Sequence, residues 1–390
     1  MASIVVNARI STRPTWAEVS LANLSHNFKV VQKHVGSSVV CAVVKADAYG
    51  HGAVECSLAL EKAGARWFGV TTTDEALPLR AAGVHSRILL MTGFWRGEEE
   101  EVVRQNLTAT VWEPGHLALL ERAAASQNVR GVPVHLKIDT GMGRLGASLE
   151  QLPALLALLQ STVHLKLEGL CTHFASSEIV DAPEMDRQTE RFAAAERMVR
   201  EAGFSPDILH LANTAAVVSR PESWGNMVRP GLALYGYTLP LQRDGKPEPG
   251  GTPDLGLKPV LSWKTRILSL HNAAPGQALG YGGTYVAKAL SRIAVLPLGY
   301  ADGLVLRLSN RGRVIVRGHY APMVGRISMD LTLVDVTGIT DVVVGDEVIL
   351  IGASGASSID AWEQARLAET LPYEILCGIS KRVPRKYNGG

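Results

Sequence analysis

Short apolar runs alternate with helical patterns through the first two-thirds of the chain, and this alternation constrains the fold more than any other feature. Strand-like runs fall at Val39–Lys45, Trp67–Thr72, Ile88–Thr92, Ala109–Trp112, Val134–Ile138, Leu167–Thr172, Ile208–Leu211 and Met227–Tyr235. Helical patterns lie between them, among others at Ala53–Gly64, Thr73–Ala82, Glu98–Gln105, Pro114–Ser126, Leu149–Gln160 and Glu184–Glu201. The first run is β-branched and apolar on both faces, as a parallel strand buried between two layers must be. Eight such units in about 200 residues predict an α/β fold, a (β/α)8 TIM-like barrel, rather than an open sheet. An open dinucleotide-binding sheet would carry a GxGxxG turn after an early strand, and none is present.

From Leu239 to Pro259 the chain turns rich in Pro and Gly, which reads as a linker. Beyond it come β-runs broken by Gly turns: Thr265–Leu270, Ile293–Leu298, Arg313–Val316, Leu331–Val336 and Glu347–Ile351. These predict a mainly β C-terminal domain with one helix at Ile359–Leu367. The expected division is 1–242 for the barrel and 243–390 for the β domain, with a first strand at about 15–21 free to pack on the latter. A chain of 390 residues supports two such cores.

With a formal net charge of +2 and no basic stripe, electrostatics gives no support for nucleic-acid or membrane-surface binding. Cys41, Cys56, Cys171 and Cys377 are scattered without a CxxC pair, so neither a disulfide framework nor a zinc site is expected. The N-terminal apolar patch Ile4–Val6 is too short for a signal-peptide core and no run reaches membrane-spanning length, so a cytoplasmic location is expected.

In a barrel, functional groups gather at the C-terminal ends of the strands. Here Lys45 and Tyr49 follow the first barrel strand, and Lys137 and Arg144 the fifth; His173 follows the sixth. Asn213 and Thr214 follow the seventh, and Arg229, Gly231 and Leu232 surround the eighth. A strand-end lysine either snorkels to water or serves, with a lowered pKa, as a carbonyl nucleophile. Barrels commonly bind phosphate between the loops after strands seven and eight, where a Thr214 hydroxyl and the amides of Gly231 and Leu232 are placed. An amine for an aldehyde and a cradle for a phosphate in one barrel mouth suggest pyridoxal 5′-phosphate.

Longer motifs carry a resemblance. They are Ala42–Gly52 (AVVKADAYGHG), Lys137–Gly146 (KIDTGMGRLG), Val228–Gly236 (VRPGLALYG), Gly299–Gly303 (GYADG), Gly325–Asp330 (GRISMD) and Arg382–Arg385 (RVPR). In these pieces, in this order over nearly the whole chain, the sequence resembles the alanine racemases, enzymes that supply D-alanine for cell-wall peptidoglycan. The resemblance implies a barrel followed by a β domain, and a head-to-tail homodimer whose active sites each use both chains. It implies that Lys45 binds the cofactor and acts as one base, with Tyr281 of the partner subunit as the opposing base. Tyr49, Thr214, Gly231, Leu232 and Tyr373 would hold the phosphate, with Asn213 beside them; Arg229 would face the pyridine nitrogen and His173 would stack near the ring. Arg144 would orient Tyr281 and the substrate carboxylate, and the Met329 amide would meet that carboxylate. Lys137 matches a lysine often carbamylated in the family. Thr214 and Ser328 stand where relatives often carry Ser and Cys, and Ser328 could alter side-chain preference.

Two bases on opposite faces are what racemisation needs, since a planar carbanion must lose a proton on one side and gain one on the other. A phenol is a poor base in water, so a cation such as Arg144 is needed beside it. Alternatives at this stage are a racemase of broader specificity, acting for example on serine, and a non-catalytic pyridoxal-phosphate-binding barrel. The second type lacks the β domain and Tyr281. A decarboxylase or aldolase would carry an acid where Arg229 stands or a C-terminal metal pair, and Cys377 has no His nearby. No metal is expected.

Overall fold

The structure, a computed structural model, describes residues 13–389, so the patch Ile4–Val6 lies outside the described residues. The described chain forms two compact units: residues 21–258, and residues 13–20 with 259–389. Strand β1 (Thr15–Ser20) therefore groups with the second unit, and 243–258 with the first.

In the first unit eight strands form a parallel sheet: β2 (Val39–Val43), β3 (Trp67–Val70), β4 (Arg87–Leu90), β5 (Thr108–Val111), β6 (Val132–Lys137), β7 (Leu165–Cys171), β8 (Ile208–His210) and β9 (Met227–Val228). They neighbour one another in chain order, and β9 returns to pair with β2, Val39 opposite Met227. Between β8 and β9 no paired ladder forms, and the barrel is closed around Asn226, with the Arg229 N–H donating to the Ala212 carbonyl at 2.9 Å beyond it. Asn226 donates its backbone N–H to the Leu209 carbonyl at 3.1 Å, and its side-chain oxygen accepts the Leu209 N–H at 2.7 Å. Its amide nitrogen donates to the Asp207 carbonyl at 2.7 Å. A side-chain amide here does what a strand backbone does elsewhere in the barrel.

The surrounding helices are amphipathic at the expected period. Helix Leu21–Val35 buries Leu24, Phe28, Val31 and Val35, the stripe that a 3.6-residue turn lays along one face. Truncating Phe28 to Ala would cost about 3–5 kcal/mol. Helix Thr73–Ala81 starts where Thr72 accepts the Glu75 N–H at 3.3 Å. Among the described residues no helix is long and apolar enough to cross a membrane.

Two barrel segments differ from expectation. The last strand ends at Val228 rather than Tyr235, because Pro230 has no N–H for a ladder, and Leu232–Tyr235 forms a 3-10 turn instead. After Lys45 the chain enters a left-handed turn: Ala46, Asp47, Ala48 and Tyr49 have φ of 52, 55, 54 and 54°. Each such L-residue costs about 1–2 kcal/mol relative to the right-handed form, so something must hold it.

The second unit is built on one sheet in the order Ser269–Ala273, Ser291–Leu296, Thr332–Asp335, His319–Val324, Arg313–Val316, Glu347–Ser354, Leu261–Arg266, β1 and Arg385–Asn388. The run expected as one strand at Thr265–Leu270 is two. Ile267 donates to Asp346 at 3.0 Å and Leu268 to Val295 at 2.8 Å, so the chain changes partner strands there. The expected helix occurs at Ala361–Ala368, capped by Asp360. A second, Pro372–Gly378, was not anticipated; at 7 residues it is too short to show a period.

Candidate active site

The site is assembled by neighbouring strand ends of the barrel. Parallel register sets Lys137 beside Cys171 and Cys171 beside His210. Lys45, Lys137, Arg144, His173, His210 and Arg229 line one cleft, together with threonines, Cys171 and apolar side chains; among the described residues no carboxylate lines it. Burial pushes the Lys137 amine down, and Arg229 and Arg144 push it further, against the opposing pull of Cys171 and Asp139. Burial, then the charges of Arg229, Lys137, Arg144 and Lys45, press the His173 imidazole down to about 2, so it is neutral.

At the floor lies Arg229, only 7% exposed. Its guanidinium donates to Thr172 O at 2.8 Å, Leu211 O at 3.0 Å and His210 Nδ1 at 2.6 Å, with His173 Nδ1 at 3.4 Å. Every one of these partners is neutral. A buried cation without a counter-ion is costly, so a cleft with this floor and these walls suits an anionic, polar guest.

Behind Arg229 runs a chain of hydrogen bonds through the barrel. His210 Nε2 meets His135 Nδ1 at 2.8 Å, His135 Nε2 faces Glu168 at 3.4 Å, and Arg87 grips Glu168 at 3.0 and 2.7 Å. Arginine can only donate and an ionised carboxylate can only accept, so both ends fix every proton between them. His210 accepts at Nδ1 and donates from Nε2; His135 does the same toward Glu168. Burial alone would raise the Glu168 carboxyl, but hydrogen bonds from His135 and Arg87 outweigh it and hold it at about 2. Gly169, opposite His135 in the register, leaves the space its ring fills; a Cβ there would lie 2.6 Å from the ring. The strand-end reading missed this chain. Its signal was a Glu and a His inside otherwise apolar strands.

Just beyond β8 and β9, Thr214 accepts the Gly231 N–H at 2.9 Å, and any side chain at Gly231 would collide with the Tyr49 hydroxyl. The Tyr49 ring lies 4.8 Å from that of Tyr235, whose hydroxyl donates to Val43 O at 2.9 Å. Asn213 caps helix Thr214–Ser219 by accepting the Ala216 N–H at 3.1 Å, and it also accepts from Ser177. Tyr49, Thr214 and Gly231 are thus brought together, with no room for a side chain at Gly231.

Residues 19–239 match the family described as alanine racemase, N-terminal domain, and residues 260–387 match alanine racemase, C-terminal domain. The chain belongs to the alanine racemase family. It is 42% identical to the alanine racemase of Halothermothrix orenii over 98% of both chains. It is 40% identical to that of Geobacter sulfurreducens over 97% of this chain and 98% of the relative. Among solved structures, the alanine racemase of Streptomyces lavendulae superposes with a TM-score of 0.88 at 32% identity, over 97% of this chain and 98% of the other. The alanine racemase of Bacillus anthracis with bound L-Ala-P gives 0.86 at 30% identity, over 97% and 95%.

Three of the residues that the racemase resemblance singles out lie on the β unit. Tyr281 opens a short turn and is 71% exposed; Met329 is 52% exposed. Tyr373 lies in helix Pro372–Gly378. The loop bearing Met329 is fixed from beneath. Tyr300 and Ala301 donate their N–H groups to the carbonyls of Ser328 and Met329 at 3.0 and 3.1 Å. Buried Asp302 accepts the Gly299 N–H at 2.9 Å. The Ser328 hydroxyl is occupied locally, donating to Leu331 O at 2.9 Å and accepting the Leu331 N–H at 3.0 Å.

Proposed function

We propose that this chain interconverts L- and D-alanine with pyridoxal 5′-phosphate, using Lys45 and Tyr281 of the partner subunit as bases on opposite faces, and so supplies D-alanine for peptidoglycan. The observation that carries the reading is the acid-free cationic cleft above buried Arg229. The residues present fit the cofactor: Tyr49, Thr214, Gly231 and Leu232 form the cradle for its phosphate, and Lys45 is the amine that binds its aldehyde. When bound, the cofactor supplies an electron sink that acidifies the α-proton of an amino acid.

The protein's own groups do the rest. Lys45 Nζ moves the proton on one face and Tyr281 Oη on the other. By the family resemblance Arg144 favours the phenolate and holds the substrate carboxylate. Arg229, which can only donate, leaves the pyridine nitrogen unprotonated and moderates the sink, which limits side reactions such as transamination. The exposure of Tyr281 and Met329 on the β unit supports a homodimer in which each chain completes its partner's site. Lys137, poised with a lowered pKa among cations, suits the carbamylation that the family motif suggests.

L-to-D conversion measured over a panel of amino acids should be fastest with alanine. Borohydride reduction followed by peptide mapping should place the pyridoxyl label on Lys45. Label on Lys137 instead, or no conversion of alanine, would overturn the proposal.

A further inference from the structure

Glu75 lies outside every motif above, yet its carboxylate joins two strand ends of the barrel mouth. One oxygen accepts the Ala46 N–H at 2.7 Å; the other accepts the Thr71 N–H at 2.7 Å and the Thr71 hydroxyl at 2.8 Å. Thr71 lines the cleft just after β3, and Ala46 opens the left-handed turn that begins directly after Lys45. A second carboxylate, Asp47 within the turn, ties it to the following helix: its Oδ1 accepts the Ala53 N–H at 2.8 Å. Glu75 is itself fixed at the capped start of helix Thr73–Ala81.

We infer that Glu75 is a positioning residue of the reaction: it holds the left-handed turn and thereby aims Lys45 and Tyr49 into the site. The inference rests on the reading of Lys45 as the cofactor lysine. L-residues avoid this backbone region, so four in succession persist only while the surroundings over-determine them. Without the carboxylate, the chain after Lys45 is drawn toward right-handed or extended forms. Tyr49 then leaves its place against Gly231 and the lysine loses its fixed origin. Small misplacements of a reacting group are costly in rate.

A carboxylate that merely tied Thr71 to its helix would leave the turn untouched, and glycine separates the two roles. Ala46 is exposed, so Ala46→Gly removes no packed methyl, and glycine enters the left-handed region freely. Wild type, Glu75→Ala, Glu75→Gln and Glu75→Ala/Ala46→Gly are compared by three measurements. These are the rate of pyridoxal-phosphate loss from the holoenzyme on dilution, kcat and KM for L-alanine, and amide hydrogen exchange over residues 46–52. Glu75→Ala should lose cofactor about ten-fold faster and lower kcat about ten-fold, the size usual for outer partners of a functional group, with KM little changed and exchange faster. Glu75→Gln, which keeps one acceptor, should lie between, and Ala46→Gly should restore much of the loss. Wild-type behaviour in Glu75→Ala, or a loss that glycine leaves untouched, would overturn the inference. If the wild-type protein bound no pyridoxal phosphate, the reading of Lys45 would fall, and hydrogen exchange alone would judge the clamp.

Discussion

Arg229 and Lys137 are each 7% exposed in the barrel unit, whereas Tyr281 and Met329 are 71% and 52% exposed on the β unit. The barrel groups are fixed as the chain folds: Arg229 has four partners, and the histidines behind it have only one consistent set of protons. The β-unit groups stand on loops whose backbone is stitched but whose side chains face outward. Folding therefore completes one half of the chemistry, and the proposed association of two chains completes the other. A buried half-site resists repositioning, while an exposed one can be delivered by another molecule.

The largest effect expected from this contrast is a recovery from nothing. Lys45→Ala and Tyr281→Phe should each abolish racemisation as homodimers. When the inactive variants exchange subunits, one site of each heterodimer carries both lesions and the other carries neither. Activity should return, up to about half that of wild type per heterodimer if sites are independent. Confirmed heterodimers without activity would place both bases on one chain and erase the contrast.

Next in size is Arg229→Glu. On the proposed role of Arg229, a carboxylate at the floor would favour a protonated pyridine, strengthen the electron sink and remove the restraint on side reactions. Racemisation should slow by one to two orders of magnitude while transamination per turnover rises. Unchanged fidelity, measured as pyruvate formed per racemisation event, would remove the role given to Arg229.

The smallest effect is expected from Glu168→Gln, far from any reacting atom. If the amide N–H faces His135, the proton chain reverses, and His210 then presents a proton to a guanidinium that can only donate. A several-fold fall in kcat should accompany altered imidazole nitrogen shifts for His135 and His210. Stability adds a pH test. His135, His173 and His210 have pKa values depressed by burial, so the unfolded chain takes up protons first and stability should fall below about pH 6.5. Glu168 is held at about 2, so its contribution is complete above about pH 4.3 and disappears as pH drops toward 2. In urea titrations the glutamine variant should keep the first decline and soften the second. An identical second decline would mean that Glu168 is not held by its neighbours.

The barrel was legible because a parallel strand covered on both faces must be apolar, and β2 to β8 announce themselves that way. The end of β9 was not, since the apolar run Leu232 to Tyr235 resumes directly after Arg229-Pro230-Gly231 and reads as the same strand, whereas the missing donor of Pro230 ends the ladder. Lys45, Lys137, Arg144, His173 and Arg229 were legible as strand-end residues, and the structure brings them into one cleft. Glu168, His135 and Glu75 were not. The first two are inward positions within strands, where burial normally argues against charge, and Glu75 acts through backbone amides that leave no pattern. The left-handed turn was also hidden: in Ala-Asp-Ala-Tyr only the Asp is a residue that visits that region at all readily.

A barrel is a hoop, and a hoop yields at its clasp. The other joints here are strand ladders, but between β8 and β9 the circle is fastened by Asn226 and by one backbone bond, from the Arg229 N–H to Ala212 O. The two strands on either side lead directly to Thr214 and Gly231, which already touch across the opening at 2.9 Å. A phosphate gripped by both would lock that clasp from the rim, so loading the cofactor would tighten the whole circumference as well as arm the site. Amide exchange at Leu209 and Met227 should then slow on loading more than at the opposite wall, in β4 and β5.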